Sequence, residues 1–598
     1  MRASTPTRST DGCGFRAPSY WSWATIDVLM RWLGVVLVVL ATALVYGPGL
    51  DAPFVFDDAS AIVDNPRLRR LATALDPPDD SSFTGRPIVH ATFALTYALV
   101  ELRPAAHRAA NVLLHLLNAF LLWTLLERVL RRSQLQESLR ARASTVAGAV
   151  AALWTLHPLQ TEAVAYVTQR TELLASSAIL TTLHCALKAF ERPHDRRLAL
   201  LAGLIVAIGS GCKETLIVAP VLALCLDLAF FSGSMRAALS KHRSIYLSML
   251  LGLLPIFALL LSAPRGETAG FGLGVSVLDN LALQGQAIVW YLRLLAWPDH
   301  LSVTYNWHVD HALARYWPAD LGLAVVFVLT VWLSLRGKRV ALIGWFFFIS
   351  LAPSSSLVPV INEMVAERRM YLASAPVLTL ATLAIVSSIE SAPPSLRRAA
   401  FVSCAALCVA YAARSGSRVA DYRSELALFG SALAVAPDNP QAMWGLASAY
   451  EKLGDVDRAV ALYEHMAERP YPYVGPASWG TRGLMARADL ESRLGRREAA
   501  AATMRRALTH DPSSAITRLQ LAAAAAQSGD PARARRELYS LLEQPFLHDR
   551  IQLELGLIEL HLGEEASAKA HLAEALRRAP NNERMKERIA AAARGATH

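Results

Sequence analysis

From residue 28 to residue 413 the chain is a succession of apolar runs separated by short polar loops. Roughly 17–25 apolar residues in a helix cross about 30 Å of hydrocarbon, and lipid offers a spanning backbone no hydrogen-bond partners, so such runs must be helical. Eleven segments read this way, near 28–47, 109–130, 144–158, 172–190, 198–212, 215–232, 244–263, 319–336, 339–353, 372–389 and 397–413. A further segment, LALQGQAIVWYLRLLAW at 281–297, carries Gln284, Gln286 and Arg293, which suit a helix lying at the interface. With that segment on the surface, the clusters Arg131/Arg132/Arg140/Arg142, Arg192/Arg196/Arg197, Arg236/Lys241/Arg243, Arg336/Lys338/Arg339 and Arg397/Arg398 share one side, which the positive-inside rule makes the cytoplasm. The expected topology has a cytoplasmic tail (1–27), a multi-span domain (28–413) with an outer loop at 48–108, and everything after residue 413 outside.

Composition agrees with this outline. Only 18% of residues are charged, against about 25% in soluble proteins. The net charge of +10 lies largely in the short loops, where it sets topology, so no nucleic-acid partner is implied. The first run follows basic residues but lacks a small-residue cleavage site, and reads as an uncleaved anchor. The six cysteines show no CxxC pair or metal-like spacing, and no metal site or disulfide framework is expected.

After residue 413 the chain becomes Ala-rich, charged and periodic. Gly454, Gly495, Gly529 and Gly563 recur at spacings of 41, 34 and 34, each followed five residues later by Ala459, Ala500, Ala534 or Ala568. Pro470, Pro512, Pro545 and Pro580 close the units. A period of 34 with glycine between helices and alanine where they cross is the tetratricopeptide pattern, since two helices approach closely only where a side chain is tiny. The seven extra residues coincide with the insertion YPYVGPASWG, and ELALFGSALAVAPDNP reads as the second helix of a truncated first repeat. The fold class is therefore all-α, with a polytopic membrane domain of about eleven spans followed by an α-solenoid over 414–590.

The chemistry-bearing residues gather on the side assigned to the outside. FVFDDASAIVDNP (54–66) places Asp57 and Asp58 directly after the first apolar run, where carboxylates are expensive unless they have a task or merely begin a polar loop. GRPIVHATFALTYAL adds Arg86 in the same loop, and LWTLHPLQTEAVAYVTQRTELL adds His157, Glu162, Arg170 and Glu172. GSGCKETLIVAP interrupts an apolar stretch with Lys213 and Glu214. PSSSLVPVINEMVAERRMYLASAP brings Glu363, Glu367, Arg368, Arg369 and Tyr371. Arg368 and Arg369 run against the positive-inside trend, as cations that bind an anionic lipid head group or phosphate would. Blander readings stand beside these: His157-Pro158 as a helix stop, Lys213-Glu214 as a turn pair, Arg368 paired to Glu367. Tyr291, Trp297, Trp307 and Trp317 read as interfacial anchors. Together the acids, His157 and cations suit an enzyme that takes a proton from an acceptor and steadies a lipid-phosphate leaving group.

These segments, with HRAANVLLHLLNAFLLWTLL and CKETLIVAPVLALCLDL, resemble the membrane region of the transmembrane-and-TPR protein O-mannosyltransferases, members of the GT-C superfamily of polyprenyl-phosphate-sugar glycosyltransferases. The resemblance covers most of 28–413, and the attached repeats match the same architecture. It implies that Asp57 and Asp58 form the catalytic motif, that His157 and Glu162 line the acceptor or donor site, and that Lys213, Glu214, Glu367 and Arg368 lie near the donor phosphate, with Arg86 a weaker correspondence. VTQRTELL stands where relatives read closer to VSGRKDLL, so Arg170 fits while its neighbouring charge differs. The implied reaction moves a sugar, mannose or another hexose, from a polyprenyl-phosphate donor to Ser/Thr hydroxyls with inversion, an Asp acting as base and no cofactor. The expected partners are the bilayer, the lipid-linked donor and a polypeptide acceptor held in the repeat groove. The Ala/Arg-rich composition and compact loops point to a bacterial member in the inner membrane, with a periplasmic repeat domain. The competing readings are a non-catalytic envelope scaffold, a transporter of lipid-linked sugars, and a transferase acting on a glycan acceptor.

Overall fold

The computed structural model describes residues 23–78, 81–262, 276–307, 317–355, 363–389, 391–469, 478–511, 514–527, 530–542, 547–580 and 582–595. Among these residues every regular element is a helix. Seven helices are long and apolar enough to cross a membrane: Trp32–Gly49, Pro104–Leu130, Val167–Glu191, Glu214–Ser232, Trp317–Leu335, Glu367–Ser388 and Pro394–Asp421. Met235–Lys241 and Arg243–Leu259, bent by 83°, add an eighth if they form one broken span. The count thus differs from the eleven read from hydropathy. Segments 144–158, 198–212 and 339–353 form helices Ala143–Leu156, Arg196–Ser210 and Ala341–Ser355, of 14, 15 and 15 residues. At 1.5 Å per residue such helices reach only about 21–23 Å.

Ala143–Leu156 sits centrally, packed against Pro104–Leu130, Met370–Ser388, Pro394–Asp421 and Trp23–Tyr46. Arg170–Glu191 packs on Pro104–Leu130 and on Arg196–Ser210, which in turn carries Arg243–Gly252. That last pair meets through glycine: a Cβ on Gly252 would fall 2.4 Å from the Gly203 carbonyl oxygen. Small residues at a crossing are how helices associate where lipid supplies no hydrophobic drive. The 281–297 segment forms helix Val277–Ala296, and its Gln284 is buried, donating to the Met364 carbonyl at 3.0 Å. Protein groups rather than head groups satisfy it.

Two irregular stretches, one buried and one partly buried, need hydrogen-bond partners for their backbone. Residues 157–169 pass through short turns after His157-Pro158 stops the central helix. Asn111 Nδ2 donates to the carbonyls of Val164 (3.3 Å) and Val167 (3.1 Å), and Arg108 Nε donates to that of Ala165 at 3.2 Å. The same Arg108 guanidinium donates to the carbonyls of Leu50, Ala52 and Pro53. One side chain therefore ties the chain leading to the acid pair to the segment carrying Glu162.

From Glu425 onward helices pair as the repeat predicts. Gly454, Gly495 and Gly563 hold φ of 79°, 76° and 80°, the left-handed conformation that lets a helix end in a tight reversal. After the first, the Asp455 N–H donates back to the Tyr450 carbonyl, and the Asp455 carboxylate caps the next helix at Arg458 N. Ala459, Ala534 and Ala568 are wholly buried at the crossings, whereas Ala500 is half-buried and faces the groove. Gly529, Pro470, Pro512, Pro545 and most of the insertion at 471–480 lie outside the described residues.

Candidate active site

The acid pair divides into two environments. Phe56, immediately before it, has φ of 56°, a left-handed conformation costly for a side chain with a Cβ and one that aims the next residues abruptly. Its ring is held by Tyr166, stacked at 5.8 Å, and by the edge of Phe429, at 5.7 Å, in the first repeat helix. Asp58 turns inward and is wholly buried. Its Oδ1 accepts the Thr168 N–H at 2.9 Å and its Oδ2 the Val55 N–H at 3.3 Å. Burial pushes this carboxyl up to about 7, against the pull of those amides and of Arg108. Its two oxygens are spent on holding backbone.

Asp57 is half-buried and faces a cavity of about 1930 Å³. Its N–H donates to the Tyr166 hydroxyl at 3.1 Å. Burial and the nearby Glu363 carboxylate push Asp57 up to about 6, while Tyr166 and Arg368 oppose the rise. A carboxylate with access to solvent and a pKa close to neutrality is suited to general-base work.

Beside Asp57 lies an acid–arginine cluster. Arg368 pairs with both Glu162 and Glu363, and its own N–H donates to Glu162 Oε2 at 2.9 Å. Glu162 is wholly buried, whereas Glu363 keeps 30% of its side chain exposed. Arg369 donates to the carbonyls of Met364 and Glu363 and to Gln284 Oε1. Its hydrogen-bond partners are neutral and no carboxylate pairs with it among the described residues, whereas Arg368 is paired twice. Both arginines line a small pocket between helices, with Glu172, Thr215, Ser350 and Ser354. Lys213 pairs with Glu172 at its rim, and Arg86 stands 3.8 Å from Glu214. Glu367 is wholly buried, accepting from Ser302 N at 2.5 Å and the Tyr305 hydroxyl at 2.7 Å, with Arg418 at 3.9 Å.

Of the sequence candidates, Asp57 and Glu363 line the large cavity and Glu172, Arg368 and Arg369 the small one, whereas Asp58, Arg86, His157, Glu162, Arg170, Lys213, Glu214 and Glu367 are in neither lining. His157 is buried, its Nδ1 accepting the Leu159 N–H at 3.1 Å and its Nε2 facing the Leu295 carbonyl at 2.9 Å. Burial lowers it to about 4, so it stays neutral and anchors a helix end. Arg170 spends its guanidinium on Asn111, Thr92, Thr96 and the His107 carbonyl while lying 3.8 Å over the Phe93 ring. It is a packing clamp. Conversely, Arg108 and Tyr166 were not singled out from sequence, because only the fold puts them against the acid loop.

The cavity before Asp57 has its opposite wall in the repeat array, including Trp444, Trp479, Arg505 and Arg533. The array is fixed there by Asn439, which donates to the Thr304 carbonyl at 3.0 Å, and by Asn306, which donates to the Asp438 carbonyl at 2.9 Å. Arg584, in the last helix, reaches Asp64 of the acid loop at 3.4 Å. A half-buried carboxylate, two arginines and a groove walled by the repeats thus adjoin one another.

Tetratricopeptide repeat families match residues 421–470 and 485–546. Protein O-mannosyl-transferase F38B6.6 of Caenorhabditis elegans is 23% identical over 441 residues, covering 69% of this chain and 59% of that protein. Protein O-mannosyl-transferase TMTC4 of Homo sapiens is 27% identical over 495 residues, 71% of this chain and 65% of its own length. TMTC3 of Mus musculus, named likewise, is 31% identical over 196 residues, 30% and 20% of the two chains. The chain spans less than two thirds of the length of these relatives.

Proposed function

Because the chain is a relative of the transmembrane-and-TPR proteins named protein O-mannosyl-transferases, we propose that it is a multi-pass membrane glycosyltransferase that moves a hexose, mannose in the first instance, from a polyprenyl-phosphate donor to Ser/Thr hydroxyls of polypeptides. The observation that carries this reading is the shared cavity: Asp57 opens onto the space that the repeat array encloses, with the Arg368/Arg369 pair at its flank. The donor's prenyl chain lies in the bilayer, and its phosphate enters the pocket lined by Arg369, Arg368, Thr215 and Ser354. Arg369 contributes the uncompensated charge. Arg368 reaches the phosphate when the half-exposed Glu363 gives way.

Asp57 accepts the proton of the acceptor hydroxyl as its oxygen attacks the anomeric carbon. The bond from that carbon to the phosphate oxygen breaks, and its electron pair leaves with the polyprenyl phosphate, whose charge the arginines balance. Attack from the side opposite the phosphate inverts the anomeric centre. Asp58, Tyr166 and Arg108 hold Asp57 in position, and Glu162 orients Arg368. The acid loop and the repeats work on the extracytoplasmic face, periplasmic in a bacterial inner membrane, with the N-terminus inside.

The test is the full chain in lipid with polyprenyl-phosphate mannose and a Ser/Thr peptide, read by mass spectrometry for added hexose. Asp57→Asn lowers transfer by at least about 100-fold, the scale of a lost general base. Transfer at the original rate sinks the assignment, and so does a C-terminal tag found in the cytosol. Hexose added to a glycan but never to Ser/Thr would replace the acceptor class.

A further inference from the structure

The groove before Asp57 is not electrically uniform. Near the membrane domain its wall carries Asp57, Glu363, Glu425 and Glu451. Several charges along it cancel in place: Lys452 with Glu425 at 2.7 Å, Arg493 with Glu451 at 2.5 Å, Arg518 with Glu537 at 2.5 Å. Arg497, Arg505, Arg533 and Arg550, contributed by three successive helix pairs, also line the groove. These four are exposed and have no carboxylate partner among the described residues. Trp444 and Trp479 also line the groove and offer flat apolar surface.

A run of unpaired guanidinium groups inside a concave wall recognises carboxylates or phosphates by paired N–H donation. The same wall begins at the proposed base, so the chain that lies along it is the one whose hydroxyl reaches Asp57. An acidic residue next to that hydroxyl would meet Asp57 and Glu363, and like charges repel. An acidic residue farther along the chain would meet the arginines.

We propose that the acceptor is an extended polypeptide carrying an acidic stretch set apart from its Ser/Thr, and that Arg497, Arg505, Arg533 and Arg550 read that stretch. The proposal rests on the transferase reading for its acceptor, but its recognition step needs no donor and is measured separately.

Two fluorescent peptides share one Ser/Thr centre; one bears Glu on both outer flanks, the other Gln at the same positions. Binding to the full chain in nanodiscs is read by anisotropy. The Glu peptide binds at least about tenfold tighter than the Gln peptide, the size that several weak exposed pairs reach together. The preference shrinks in high salt, as exposed charge pairs do. In the variant R505E/R533E/R550E the preference disappears or reverses, while the Gln peptide binds as before, which shows that the array still folds. A milder R505Q/R533Q/R550Q variant loses the preference without reversing it.

Equal affinity of the wild-type chain for both peptides overturns the proposal, as does a preference untouched in the arginine variants. Hexose transfer is then followed on both peptides. Selective binding without transfer to either sinks the transferase reading and leaves the acidic-chain groove standing. Transfer to both at equal rates and equal affinities leaves the transferase standing and sinks the acidic preference.

Discussion

Neighbouring aspartates differ here because consecutive side chains diverge from a backbone bent at Phe56. Asp58 accepts two amide hydrogens deep in the protein, and Asp57 meets open space. With Asp57 raised to about 6, its basic form is lost at lower pH than that. The transfer rate should therefore climb about tenfold per pH unit below 6 and level off above it, measured as kcat/KM across pH 4.5–8. Asp58→Asn keeps the shape but faces the Val55 N–H with either an oxygen or a competing amide. It should lower the rate and the thermal stability while leaving the midpoint of the pH profile in place, as a positioning residue does. Arg369→Gln removes the uncompensated charge and should raise the donor KM by about tenfold or more, with acceptor KM unchanged. The acid pair was visible in sequence because two carboxylates followed an apolar run. Which of the two faces the groove was not, since both carry the same side chain and only burial separates them. His157 and Arg170 show the same limit: sequence gives the ionisable type, while the fold decides that their polar atoms go to backbone groups, Asn111 and Thr96.

At the scale of elements, the unusual pieces are the buried turns at 157–169 and the loop before Asp57, both fastened to Arg108. A lysine there would keep the charge but lose the planar fork that reaches several carbonyls. Arg108→Lys should destabilise the chain by about 3 kcal/mol, the scale of a buried charged group stripped of partners, in a thermal or denaturant titration in detergent. In the repeats, Gly495→Ala forces a Cβ into φ of 76° and should cost about 1 kcal/mol. Helix existence and most helix ends were legible, because apolar length and the recurring glycine, alanine and proline are local signals. Helix lengths were legible too, since segments 144–158, 198–212 and 339–353 return as helices of 14, 15 and 15 residues; hydropathy alone does not register that Gln284 is satisfied within the protein.

For the molecule as a whole, the proposed function depends on how the repeat array is seated over the acid loop. Asn439 both caps its helix and donates to the Thr304 carbonyl, and it is buried. Asn439→Ala should loosen the seat, raising acceptor KM several-fold while donor affinity stays as it was. The exposed Arg584–Asp64 pair should contribute under about 1 kcal/mol, and its charge swap should change neither parameter.

The amino-acid order alone determined that the regular elements of this chain are helices, that its first two thirds are built for lipid, and that its last third repeats. Each follows from local chemistry: the length of apolar runs, the placement of charge, the recurrence of glycine and alanine. The tertiary structure alone decided that Asp57 rather than Asp58 faces the groove, that Arg369 keeps its charge while Arg368 shares its own, and that the arginines of the repeats line the same space as the acid. Those outcomes depend on contacts between residues tens to hundreds of positions apart, where desolvation and hydrogen-bond partners are set by packing.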